Sequence, residues 1–197
     1  VALNANALTT LDRCKAQLEI PLADTSQDFL LEIYINSASN MIPRYCNRNF
    51  VETVRTDLLD GTGKSEILLP GRPAHAPTSC RVDSSRVFDA ETELAAGTFA
   101  IVGGATLRRH TGVWPRGSQN VRLSYSEGFA AIPSDVELAC ILLAEWLFRR
   151  QQDRRSGRMS VSKGGESTSY DDNWPPVAKD LLAQWQLPAD LGVGVRG

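Results

Sequence analysis

The chain has 197 residues, 42% of them hydrophobic and 22% charged, with a formal net charge of −2 and a pI near 5.7. That length suits one domain, or one domain with a substantial insertion, and burial of roughly 70% of the unfolded surface supports a core without staples. The charge gives no whole-chain footprint for nucleic acid, and no run of ~18 apolar residues is present to span a bilayer.

The first zone reads as helix. Thr9 and Thr10 offer an N-cap ahead of Leu11, Cys14 and Leu18, an apolar stripe that Pro21 closes. No basic segment followed by an apolar stretch precedes it, so an export signal is not expected. Thr25-x-x-Asp28 has the form of a capping box with aspartate in the glutamate slot. Behind it Leu30, Ile33, Ser37 and Met41 mark one face of a second helix, widened by Phe29 and Tyr34. Pro43 is expected to kink or end that helix, since it removes a hydrogen bond and crowds the preceding turn.

From about Phe50 to Phe129 the pattern turns to strand. Candidates are Val51 to Leu58, Lys64 to Leu69, Ser79 to Asp83, Thr98 to Val102, Ala105 to His110 and Gln119 to Tyr125. Between the first two lies GTGKS, residues 61–65, which has the ending of a nucleotide-binding loop. That motif needs a glycine where Leu58 stands, and it must open a helix whose amides grip the phosphate. Glu66 to Pro70 is instead short, aliphatic and stopped by proline, so Asp60 to Gly63 is expected to be a β-hairpin connection. The stretch PGRPAHAP reads as a rigid connector, because proline cannot feed a central ladder. Gly103-Gly104 is a two-residue hairpin signal, and residues 84–97 fit either a poor strand or a short helical turn.

The third zone returns to helix. Ser134-x-x-Glu137 is a capping box behind Pro133, and Val136, Ala139, Cys140, Leu143, Trp146 and Leu147 run along one side. Leu138, Ile141, Leu142 and Phe148 cover much of the rest, which places this helix at the centre of a bundle. A Gly/Ser-rich stretch at 156–170 breaks all periodicity. Pro175-Pro176 then reopens a helix with Val177, Leu181 and Trp185 on one face, before the extended tail LPADLGVGVRG.

The four cysteines, Cys14, Cys46, Cys80 and Cys140, stand far apart, and read as buried free thiols in a reducing cytoplasm. His75 and His110 have no ligand-spaced neighbours, so no metal site is expected. No G-x-S-x-G elbow is present, and an enzyme is not expected. The fold class is α+β: a small helical bundle of two N-terminal and two C-terminal helices with an inserted antiparallel β lobe. Its divisions are 1–49, the lobe at 50–130, 131–186 with a flexible loop at 156–170, and the tail at 187–197.

The order of these features resembles one known group. LTTLDRCKAQLEIP, then a helix ending RYCNRNF, leads into LDGTGKSEILLPGRP. VRLSYSEGFAAIPSDVELACILLAEWLFRRQ, a Ser/Gly loop and WPPVAKDLLAQW follow. Over nearly the whole chain this resembles the head–tail connector (adaptor) proteins of long-tailed double-stranded-DNA bacteriophages, and the run Tyr125 to Phe129 into Ile132 to Asp135 is its most telling piece. The resemblance implies a homo-oligomeric ring, usually of twelve subunits, in the virion neck, made in the host cytoplasm. Its partners would be the portal protein and a stopper or tail-completion protein. Genomic DNA would pass through the channel without specific binding, with no membrane and no cofactor involved.

Interface candidates follow from these readings. Trp114 in GVWPRGS reads as an exposed tryptophan at a turn, which suits an interface hot spot. Arg149, Arg150, Arg154, Arg155, Arg158 and Lys163 form a basic cluster at a helix C-terminus, where the dipole favours cations. The cluster reads first as solvated or intersubunit charge, then as a portal or neighbour contact, and last as a DNA contact. The stretch with Met159 and Tyr170 is either a plain linker or a docking segment, the latter favoured because long structureless loops in compact domains usually serve function. Leu187, Leu191, Val193 and Val195 belong to a tail that can add to a sheet edge of the portal or a neighbouring subunit. The competing reading is a DNA-binding or nucleotide-using packaging factor.

Overall fold

The computed structural model describes residues 2–152, 160–163, 166–169 and 174–188. In chain order the elements are α1 (Leu11–Gln17), α2 (Asp28–Cys46), β1 (Thr53–Gly61), β2 (Glu66–Leu68) and β3 (Ala74–Val82). A 3-10 turn (Ala90–Thr92) precedes β4 (Phe99–Val102), β5 (Thr106–Arg109) and β6 (Gly117–Glu127). Then come α3 (Ser134–Gln152), β7 (Ser160–Lys163), β8 (Glu166–Ser169) and α4 (Pro176–Ala183). The architecture is α+β, and the chain divides into two compact units: Val1–Asn47 with Ile132–Gln186, and the inserted stretch Arg48–Ala131.

In the helical unit α3 packs against α1, α2 and α4. Val136, Ala139, Cys140, Leu143, Ala144 and Phe148 are its buried side, and Phe148 meets Tyr34 edge-on at 6.3 Å. Trp146, expected in the same core, is only half-buried, with the Arg150 guanidinium 5.1 Å over its ring. Thr10 caps α1 by accepting from the Arg13 amide. The expected capping box on α2 does not form. Gln27 occupies the cap position without a side-chain bond, and Asp28 instead pairs with the buried Lys15. Lys15 Nζ also donates to the carbonyls of Leu22 and Asp24, so one buried ammonium ties down the whole α1–α2 turn. At α3 the Glu137 carboxylate accepts from the Thr9 hydroxyl and pairs with Arg13.

The inward faces of α2 and α4 sit one residue from their expected positions. Leu31, Ile35, Ala38, Ile42 and Cys46 are the buried stripe of α2, and Ala178 and Leu182 that of α4, while Val177 is 59% exposed. Small residues made the difference: Ala38 and Ala178 lie on the buried sides. Pro43 does not stop α2, which runs one further turn to a left-handed Asn47 whose amide donates to the Pro43 carbonyl. Residues 156–170, expected to lack regular structure, include the antiparallel pair β7–β8.

The inserted unit holds two three-stranded antiparallel sheets, ordered β1-β6-β3 and β2-β5-β4. The hairpin expected between Leu58 and Lys64 is therefore a crossover. β1 pairs with β6 and β2 with β5, and the β1–β6 register breaks between Leu59 and Gly61. There the chain passes so close to Pro115 that a Cβ on Gly61 would lie 1.7 Å from its carbonyl oxygen. The Gly103-Gly104 hairpin is present, joining β4 to β5 with both glycines at positive φ. PGRPAHAP is not wholly a connector. Its end opens β3, an edge strand, and Pro77 falls where the register shifts between His75 and Ser79, so no ladder bond is lost to it.

Candidate subunit interface

The nucleotide-loop question is decided by backbone bonding. The Gly63 amide donates to the Trp114 carbonyl at 2.9 Å, and the Lys64 amide to the Thr62 hydroxyl at 3.2 Å. The Trp114 amide donates to Lys64 O at 2.8 Å, while its indole Nε1 donates to Ser65 O at 3.0 Å. The segment is thus stitched to residue 114, and strand β2 follows it where a phosphate loop requires a helix. Trp114 itself is the correction here. It is fully buried in the lobe core with Leu59, Ile67, Leu107, Val121 and Leu123, with Arg109 over its ring at 5.6 Å. Anchoring two chain segments from inside removes it as a surface hot spot.

Below this core lies a polar network that includes part of the Tyr125 to Phe129 run. Tyr125 is buried; its hydroxyl donates to Asp57 at 2.7 Å and accepts from the Gly71 amide at 3.1 Å. Burial, then Asp57, push the phenol above its ordinary range, so it stays a donor. Arg55 grips Asp57 at 2.7 and 2.9 Å and reaches Glu127 at 3.3 Å, and Asn49 donates to the other Glu127 oxygen. Burial works against the Arg55 charge, but the bonds and charges of Asp57 and Glu127 outweigh it and raise its pKa. Arg48 lies over the stacked rings of Phe50 and Phe129. These charges face one another, and the arrangement is a brace for the strands.

The thiols are equally inward. All four are buried, and burial pushes Cys14 and Cys80 up to about 12 and Cys140 to about 11, leaving them protonated. His75 Nε2 lies 2.9 Å from Glu52 Oε1. Among the described residues no group of three or more His, Cys, Asp or Glu gathers in one place, and no helix is long and apolar enough to cross a membrane.

Several large apolar side chains face outward. On β1, Val54 and Leu58 are 74% and 50% exposed on the same side of the strand, with Thr56 between them. In the helical unit Leu22 and Phe29 are exposed at the α1–α2 corner. Sequence periodicity missed the β1 pair because alternation says which residues share a face but not whether a face is covered. An open groove of about 420 Å³ runs between α1 and α3, floored by Ala16, Leu138 and Ile141 and rimmed by Arg13 and Glu137.

Of the basic cluster, Arg149 bonds Glu145 one turn back at 2.8 Å and Arg150 caps Trp146. Lys163 lies on β7 and Leu187 is half-buried after α4. Arg154, Arg155, Arg158, Met159, Tyr170, Leu191, Val193 and Val195 lie outside the described residues.

Comparison with known proteins gives one family: that described as Head completion protein, which matches residues 7–186. No curated protein matches. Among solved structures, the chain is similar to one in the virion of a native gene transfer agent particle. There the TM-score is 0.62 at 19% identity, over 94% of this chain and 92% of that one. It is also similar to a chain in the neck of the empty particle computed with C6 symmetry, with TM-score 0.58, 17% identity, and 94% and 93% covered. A third is in the neck of the native particle computed with C12 symmetry, with TM-score 0.58, 18% identity, and 94% and 92% covered. At these identities the likeness is one of fold.

Proposed function

The chain belongs to the head completion protein family, and from that premise we propose that it is a structural subunit of the phage neck. Copies of it close into a ring beneath the portal, extend the DNA channel and offer a platform to a stopper or tail-completion protein. The carrying observation is the span of the family match, residues 7–186, which takes in both compact units. The fold likeness to chains from necks computed with C6 and C12 symmetry supports a rotational assembly.

The chemistry agrees with a joint that catalyses nothing. The buried charges of the lobe satisfy one another, and the amides of residues 63 and 64 are engaged inside the chain. A ring needs heterologous contacts, in which two different patches of each subunit meet. Exposed apolar side chains in both units, Phe29 in one and Val54 and Leu58 in the other, supply material for them. DNA sliding through such a ring is served best by weak, sequence-independent contacts.

The test is the mass of the purified chain, alone and with the portal of its own particle. A species near twelve times 21.6 kDa is expected on the portal. A chain that stays monomeric beside the portal contradicts the proposal.

A further inference from the structure

The sheet β1-β6-β3 has two outer edges, and only one is guarded. Along β3, Pro77 has no amide to offer, Ala76 turns to a φ of 44°, and the register breaks between His75 and Ser79. The Ala74 amide and the Cys80 carbonyl on that side already bond Gly104 and Leu94, at 2.8 Å each. β1 has none of these devices. It pairs with β6 without interruption from Thr53 to Leu59, carries no proline, and among the described residues no strand takes its other side. The apolar surface at this edge is a narrow strip. Val54, Thr56 and Leu58 are exposed, but across the ladder they face Ser126, Ser124 and Arg122. A cover that suits the strip comes alongside β1 as a further strand, rather than down onto the sheet.

The residues of β1 say which strand that is. Val54-Arg55-Thr56-Asp57-Leu58 is complementary to itself when reversed about Thr56. In an antiparallel pair centred there, Val54 stands opposite Leu58 of a second copy, Thr56 opposite Thr56, and Arg55 opposite Asp57. Apolar side chains then meet on the exposed face and opposite charges on the inner one, both favourable cross-strand pairs. Inward charges guard an edge against strands in general, but these accept a strand that answers each with its opposite. A parallel pair in register would set Arg55 against Arg55 and Asp57 against Asp57. We propose that two free subunits pair through β1, antiparallel and centred on Thr56, into a twofold dimer whose sheet runs through both copies. Neighbours in a cyclic ring meet through different patches, so this self-pairing belongs to the chain before assembly. That timing rests on the ring reading above; the pairing itself does not. Opening the dimer frees Val54 and Leu58 for ring contacts, which makes it a brake on closure away from the portal.

Light scattering on the full-length chain without portal reads the pairing directly, and a mass near twice 21.6 kDa is expected. Val54→Lys with Leu58→Lys should halve that mass. Val54→Lys with Leu58→Glu should keep the dimer, because each lysine then faces a glutamate of the second copy. A monomeric parent, a dimer that survives the double lysine, or a dimer that the lysine–glutamate chain loses overturns the inference. Cysteine pairing checks the register, since the native thiols are buried and protonated. Opposed Thr56 residues lie ~4.5–5.5 Å apart between Cα atoms, within reach of a disulfide, while the two Val54 residues stand ~14 Å apart along the strands. Mild oxidation is expected to give disulfide-linked dimer from Thr56→Cys about tenfold above Val54→Cys. Equal yields overturn the register. A ring mass on the portal without a free dimer leaves the ring reading standing and removes this one. A free dimer that gives no ring on the portal keeps the pairing and removes the ring.

Discussion

The Tyr125 hydroxyl donates to the Asp57 carboxylate at 2.7 Å, fastening the central strand of the lobe to its edge strand β1. The same oxygen accepts from the Gly71 amide, so one phenol joins three stretches of chain. Tyr125→Phe keeps the ring and deletes the junction, leaving a buried amide without its acceptor. The expected loss is ~1–3 kcal/mol, read by denaturant unfolding.

Gly71 sits against the ends of the Glu127 and Tyr125 side chains. A Cβ there would stand 2.0 Å from Glu127 Oε2 and 2.7 Å from the Tyr125 oxygen. Gly71→Ala is expected to cost ~1–3 kcal/mol by forcing this network apart. Gly71→Ala combined with Tyr125→Phe should cost less than the sum, because both act on one junction.

Trp114 and Lys64 should behave oppositely. Trp114→Ala empties the lobe core and frees the Ser65 carbonyl, with an expected loss of ~3–5 kcal/mol. Lys64→Ala touches only an exposed side chain and should stay within ~0.5 kcal/mol of the parent. If Lys64→Ala abolished a magnesium-dependent ATP hydrolysis present in the parent, the reading of residues 61–65 as a crossover would be wrong.

Asp83 gives a pH signature. Its carboxylate accepts from the Ser85 hydroxyl and from the amides of Ser85, Val87 and Phe88. The Ser85 hydroxyl, then these amides, hold its pKa down from 3.8 to about 2. A depressed carboxylate contributes stability above its unfolded pKa and loses it as pH falls through the folded value. The melting-temperature gap between the parent and Asp83→Ala should be constant above pH ~5 and close between pH ~4 and ~2. A gap independent of pH over that window would mean that the bonds at Asp83 do not distinguish its two protonation states.

Local signals in the sequence carried further than long-range ones. Gly103-Gly104 named its hairpin because a two-residue turn is written in its own residues. The partner of β1 is β6, more than fifty residues away, and nothing near Asp60 announces that the chain leaves one sheet for the other. Helix stripes were legible to within one position, the error arising where alanines share the buried face with larger residues. Trp114 was misplaced because proline and glycine beside it mark a turn, while its burial depends on Ser65 and Lys64, remote in sequence. Exposed Val54 and Leu58 carry no mark at all in the sequence, since a covered and an uncovered strand face alternate alike.

The central claim is that this chain builds a circular joint. Electron microscopy of intact particles, with the chain located by a small tag inserted in the β4–β5 turn at Gly103-Gly104, addresses it most directly. Density for a closed, rotationally symmetric ring of tagged subunits between head and tail is predicted. Tag signal spread over the capsid shell, or confined to a single copy per particle, would contradict it.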